Sequence, residues 1–204
     1  MIDAIYTSIS DYLGDEYNNN LVQNKKLITI ANKLNSLYKD DKIKIPQIVI
    51  VGCQSSAKSS TICSLMSMNI LPTNKNMCTR TPTKLELNYI NSNKIIVDIG
   101  YYNNYEFISD KKYEYNEITI IEEEIIQEHI EEFTIKHAGN KKDISFKEIV
   151  IRISSNNTPN LTLIDLPGLV MIARQDEGQP ENIKEQIKDL IKYYITQENS
   201  IIMG

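Results

Sequence analysis

A chain of 204 residues, 41% of them hydrophobic, is long enough to bury one ordinary core, because single domains run from about 50 to 250 residues. Its 27 acidic residues outnumber 22 basic ones, and the formal charge of -5 argues against a nucleic-acid polyanion as main ligand, since such binding relies on a basic face. Cys53, Cys63 and Cys78 show no CxxC spacing and, with only His129 and His137 beside them, assemble no zinc constellation.

The opening "MIDAIYTSISDYLGDE" has no basic start followed by an apolar run, and no stretch approaches the roughly 18 apolar residues of a membrane span. A soluble chain of a reducing, cytosolic compartment is expected. Ile2, Ile5, Ile9 and Leu13 recur at helical spacing, "GDEYNNN" interrupts them, and Leu27, Ile30, Ala31, Leu34, Leu37 and Tyr38 resume the pattern. Residues 1–45 therefore read as an N-terminal segment of two helices, and residues 46–204 as the body of the domain. Pro46 precedes the β-branched run 48–51, which predicts a strand buried on both faces. Ile62, Leu65 and Met66 suit a helix opened by Lys58 and Ser59.

"TKLELNY" and "NKIIVDIGYY" read as strands, and residues 118–133 as a helix whose "EEE" and "EE" make a solvated face. "EIVIRIS" and "LTLID" predict two more strands, joined by the turn "NNTPN" into a hairpin. Pro180 opens a helix with Ile183, Ile187, Leu190, Ile191 and Tyr194 on one stripe, and the chain then reaches "SIIMG", where the next core strand is expected. Strands alternating with helices imply an α/β domain with a mostly parallel sheet, undivided by repeat or linker.

The segment "IVIVGCQSSAKSS", residues 48–60, places a polar loop between a buried strand and a helix start. Such a loop gathers backbone N–H groups and the positive end of the helix dipole around one point, which is what a polyphosphate needs. It has the outline of GxxxxGK[ST] with Ala57 in the glycine position; Lys58 is placed to reach the β and γ phosphates, and Ser59 to bind magnesium. Taken alone, the loop reads equally well as a polar turn capping a helix. A second element tips the balance. "LTLIDLPG" ends an apolar strand in Asp165 with Gly168 three residues on, a spacing that lets the carboxylate hold magnesium through water and the glycine N–H meet the γ phosphate.

With "IPQIVIVGCQSSAKSS", "CTRTP", "NLTLIDLPGLV" and "GQPENIKEQIKDLIKYYITQENSIIMG" in this order and spacing, the sequence resembles the GTPase domain of the dynamin superfamily, close to its dynamin and Mx branch. The resemblance runs from about Pro46 to the end and implies a P-loop NTPase fold of the G-domain type. It implies GTP and magnesium as ligands, cradled by Gly52, Cys53, Gln54, Ser55, Ser56, Ala57, Lys58, Ser59 and Ser60. By position, Gln54 and Ser55 help place the attacking water and a charge-neutralising monovalent cation. Thr79 is the switch threonine that contacts magnesium, Asp165 and Gly168 form the second switch, and Gln179 and its neighbours lie at a dimer face. The helices of residues 1–45 resemble part of a signalling bundle. The family role is membrane remodelling through nucleotide-driven self-assembly, in the cytoplasm and peripheral to membranes, with a second copy or an intact relative as partner.

Two departures weigh against activity. Ala57 stands where the family has glycine; if the position takes a positive φ, its Cβ costs about 1–2 kcal/mol, worth tenfold or more in affinity. No TKxD, the guanine-reading motif, follows "SIIMG", so the expectation is a GTPase domain cut before its specificity motif. Two readings compete: a dynamin-like GTPase, and a GTPase-like interaction module that has lost turnover. An ATP-using P-loop enzyme fits "DLPG" and "CTRTP" poorly.

Overall fold

The computed structural model describes residues 46–53, 56–66, 68–72, 79–104, 106–116, 122–138, 144–169 and 180–204. The helices expected over residues 1–45, and Gln54, Ser55, Cys78 and Gln179, lie outside them. The elements are β1 (Gln47–Ile50), α1 (Lys58–Met66), β2 (Thr83–Tyr89), β3 (Lys94–Asn103), β4 (Glu106–Asn116), α2 (Glu123–Ala138), β5 (Ile149–Ser155), β6 (Leu161–Asp165), α3 (Ile183–Ile195) and β7 (Ser200–Met203). The strands form one sheet in the order β4-β3-β5-β2-β6-β1-β7.

β1 lies parallel to β6 and β7, and β2 parallel to β5; β2 meets β6 antiparallel, as β3 meets both β4 and β5. This is the α/β class expected, with the parallel part, β6-β1-β7, leading into the glycine loop. Alternation along each strand sends neighbours to opposite faces. Ile50 and Leu163 join Ile62, Ile126, Ile130 and Phe133 of α1 and α2 in one cluster. Val49 and Ile164 join Ile183, Ile187 and Leu190 of α3 in the other. The predicted stripe of α3 is buried in full. Ser200–Met203 forms the strand expected there, with Ile201 and Ile202 exposed beyond β1. No helix among the described residues is long and apolar enough to cross a membrane.

The hairpin expected between β5 and β6 does not form, because β2 runs between them. Leu85 and Leu87 are 0% and 2% exposed, so burying them is worth most in the middle of the sheet, where β2 pairs on both edges. The turn over residues 156–160 is long enough to step across one strand, a reach of about 10 Å at the usual 4.8 Å spacing. Asn160 fastens it by accepting the Tyr89 N–H at 2.7 Å.

β4 is a strand that the hydrophobic pattern did not announce: "EFISDKKYEYN" has only Tyr115 buried among its described positions. It pairs with β3 through a turn at Asn104, whose φ of 47° is the left-handed conformation asparagine tolerates. The register shifts between Ile99 and Gly100, and a Cβ on Gly100 would run into the Ile108 carbonyl, so the close approach needs glycine. α2 reaches Ala138, past the end expected at Phe133.

On the face beside α3, Arg152 of β5 donates to Glu86 of β2 (2.8 Å) and to the Tyr102 hydroxyl of β3 (2.6 Å), its guanidinium 3.8 Å from the Phe107 ring centre. Burial alone would raise the Glu86 carboxyl, but Lys84 and Arg152 outweigh it and hold it below the usual range. Burial and the Glu86 charge push the Tyr102 hydroxyl up to about 12.

Glu148 next to this network takes the opposite direction: burial raises it, against the Lys84 charge and the 2.9 Å hydrogen bond from Tyr194. A carboxyl raised in the fold binds its proton more tightly there than in the unfolded chain. Its contribution is therefore most favourable below the unfolded value and is lost as pH rises through the folded one. Glu148→Gln, which keeps an acceptor for Tyr194, is expected to gain stability over the native chain as pH rises from about 4 to 7. Urea midpoints at the two ends of that range check it; a constant difference between the two proteins would contradict it.

Candidate nucleotide site

The loop begins where β1 ends. The Leu169 N–H donates to the Gly52 carbonyl at 2.9 Å, and Cys53 bridges Leu169 in parallel, so the segment after β6 is stitched to the loop after β1. Gly168, buried, immediately precedes that stitch. A Cβ on Gly52 would lie 2.8 Å from the Ser56 hydroxyl and 3.4 Å from Lys58 Cδ, so glycine is what lets these side chains close over the loop. Ser56 N–H returns to the Cys53 carbonyl at 3.2 Å, and Lys58 Nζ reaches the same carbonyl at 3.1 Å.

α1 starts at Lys58, and the Thr61 N–H closes its first turn onto the Ala57 carbonyl at 2.8 Å. Helix geometry leaves the amides of Lys58, Ser59 and Ser60 without intrahelical acceptors, at the positive end of the dipole. Ala57 stands at φ 61°. The condition under which its methyl is costly is therefore met: left-handed backbone in an alanine carries about 1–2 kcal/mol of strain.

Asp165, the last residue of β6, is 2% exposed. Its Oδ2 accepts the Ser59 hydroxyl at 2.8 Å and the Thr79 hydroxyl at 3.3 Å, while its Oδ1 is buried without a partner among the described residues. Burial pushes the carboxyl up, against the Ser59 hydrogen bond, the Lys58 charge and the Thr79 hydroxyl. A cleft of about 270 Å³ opens beside it, from Ser59, Thr79 and Asp165 past Leu71 and Ile149 to Ile130 of α2. That is room for several waters, each taking about 30 Å³.

Residues separated by up to 106 positions in the chain thus meet at one carboxylate. Ser59, Thr79 and Asp165 offer hard oxygen atoms, and the orphaned Oδ1 lacks a positive partner; this donor set fits magnesium, held in part through water. Of the residues expected at the site, Gly52, Cys53, Ser56, Ala57, Lys58, Ser59, Ser60, Thr79, Asp165 and Gly168 surround this loop or its carboxylate. Nothing in the pattern marked Thr81 or residues 144–148, which turn out to hold the Thr79 segment. A buried threonine and a short mixed linker look like any loop until their partners are placed.

The family model described as "Dynamin family" matches residues 48–203, from β1 through the loop, Thr79 and Asp165 to β7. This chain belongs to the dynamin family. Relatives of the dynamin-family chain include a Dynamin-1-like protein of Mus musculus, 36% identical over 187 residues that cover 87% of this chain and 24% of that protein. Dynamin-A of Dictyostelium discoideum is 35% identical over 187 residues, 88% of this chain and 20% of its own length. A putative dynamin-related protein 4A of Arabidopsis thaliana is 32% identical over 204 residues, 100% of this chain and 62% of that one. The chain thus spans about a quarter of the length of the animal relative it matches, in a family whose members are GTPases.

Proposed function

We propose that the chain binds GTP with magnesium at residues 52–60 and hydrolyses it to GDP and phosphate, as the nucleotide-reading part of a membrane-remodelling dynamin. The observation that carries this reading is the meeting of Ser59 and Thr79 on the buried, half-unpaired carboxylate of Asp165, directly beneath the amides that open α1. Lys58 exchanges the Cys53 carbonyl for the β and γ phosphates, where its charge is worth more. The amides of Lys58 to Ser60 cradle the phosphates, and Gly168 presents its N–H to the γ phosphate. Ser59, Thr79 and Asp165 would hold the magnesium ion, the carboxylate through water. Bound magnesium supplies neutralisation of the charge on the β and γ oxygens.

Gln54 and Ser55 place the water and a monovalent cation. The water oxygen forms the new bond to the γ phosphorus as the bond to the β–γ bridging oxygen breaks, and its proton passes to the released phosphate. No covalent nucleophile is needed. The cytoplasmic face of a membrane, reached through self-assembly with a second copy or an intact relative in which Gln179 lies at the dimer face, completes the reading. Isothermal titration of the chain with magnesium and a non-hydrolysable GTP analogue tests it: micromolar to sub-millimolar binding is expected, and no heat at millimolar nucleotide overturns it. A second reading, an interaction module without turnover, is favoured by one observation, the left-handed φ of Ala57.

A further inference from the structure

We propose that residues 144–148 form a latch that holds the switch threonine at the metal site before nucleotide arrives, with Thr81 as its positioning residue; this rests on the nucleotide reading above. The three residues after Thr79 are tied to this segment and to the first residue of β5, which follows it. The Arg80 carbonyl accepts the Ser145 N–H at 3.0 Å, the Thr81 hydroxyl donates to the Lys147 carbonyl, and the Pro82 carbonyl accepts the Ile149 N–H at 3.0 Å. Thr81 is 1% exposed, so its hydroxyl has little access to a water substitute. These bonds continue the parallel β2–β5 ladder, which begins at Thr83 and Ile149, back toward the site.

The segment is in turn fixed to two helices. Its Ile144 N–H meets Gln186 of α3 at 3.3 Å, Lys147 Nζ meets the His137 carbonyl of α2 at 3.1 Å, and Glu148 accepts the Tyr194 hydroxyl of α3 at 2.9 Å. Thr79 is thereby carried on a backbone anchored at three successive residues, and its hydroxyl already rests on Asp165. A metal ligand held in place beforehand costs no ordering when the ion binds. The latch therefore lowers the magnesium concentration that the site needs, and leaves metal-free phosphate binding to the loop and Lys58.

Thr81→Val keeps the shape and removes the O–H donor. It is expected to speed amide exchange at Ser145 and Ile149 about tenfold, the factor that losing one hydrogen bond of typical net strength gives, while amides of β1 and β6 keep native rates. The magnesium concentration for half-maximal binding of a fluorescent GTP analogue is expected to rise by a similar factor of about ten, with affinity in EDTA unchanged. Thr81→Ser, which restores the donor, returns both readouts to native values. Should valine unfold the chain, Thr81→Cys, with a weak donor of similar size, is expected to shift both readouts the same way by less. A merely destabilised protein would weaken binding with and without metal alike. Native exchange or a native magnesium requirement in Thr81→Val overturns the latch, whereas a wild-type chain that takes no nucleotide at all overturns the reading of the site.

Discussion

Exchanging Ala57 for glycine tightens binding of the magnesium–GTP analogue about tenfold, the factor corresponding to 1.4 kcal/mol. The alanine stands at φ 61° at the turn into α1, where a Cβ crowds the following carbonyl and costs about 1–2 kcal/mol. The fold carries the loop in this conformation without nucleotide, and the fraction of loop that relaxes out of it to shed the strain must be drawn back when phosphate binds. Binding must then restore the strained form, and the strain appears as lost affinity. Glycine visits the conformation without penalty, although it raises the entropy of the unfolded chain by an amount worth about 0.5–1 kcal/mol. The measurement is a pair of titrations with a pair of thermal melts. A melt that rises while affinity stays put would locate the strain in the fold and remove it from the account of binding. Two inert proteins, with partner binding intact in both, would favour the interaction module.

Asp165→Asn separates metal binding from folding. A carboxylate that holds magnesium through water typically accounts for about 10- to 100-fold in metal affinity, and loss on that scale is expected in the magnesium dependence of nucleotide binding. The nucleotide-free protein should melt no lower, and at neutral pH higher. Burial has pushed this carboxyl up, so its contribution to stability is greatest at low pH and is lost as pH rises through the folded value. The neutral amide escapes that loss and still offers an oxygen to the hydroxyls of Ser59 and Thr79. Melts in EDTA near neutral pH, set beside magnesium titrations, read both effects. An unaltered magnesium requirement would mean the ion does not sit at this carboxylate; a large drop in the EDTA melt would make Asp165 a structural residue first.

The parts of the candidate site were legible because each of them is local. A β-branched run, a glycine, a lysine–serine pair and an apolar strand ending in aspartate are each specified by neighbours within a few positions, and so are the stripe of α3 and the burial of β1 on both faces. Long-range pairing was not readable in the same way. "EIVIRIS" and "LTLID" look like a hairpin because they are close in sequence, yet the buried leucines of β2 draw that strand between them. β4 leaves little mark in the sequence because a polar edge strand has a weak hydrophobic alternation, and its pairing is carried by backbone hydrogen bonds that any side chains permit.

Composition and motif order by themselves determined the class of fold, the family and the place of the candidate phosphate loop, since those follow from short-range periodicity and spacing. Tertiary structure alone decided that Ala57 stands left-handed, that one oxygen of Asp165 is left without a partner among the described residues, and that Thr79 is carried to this carboxylate on a backbone fastened to residues 144–149. A backbone dihedral and the partner of a buried oxygen are set by residues that lie far off in the chain, and no local pattern records them.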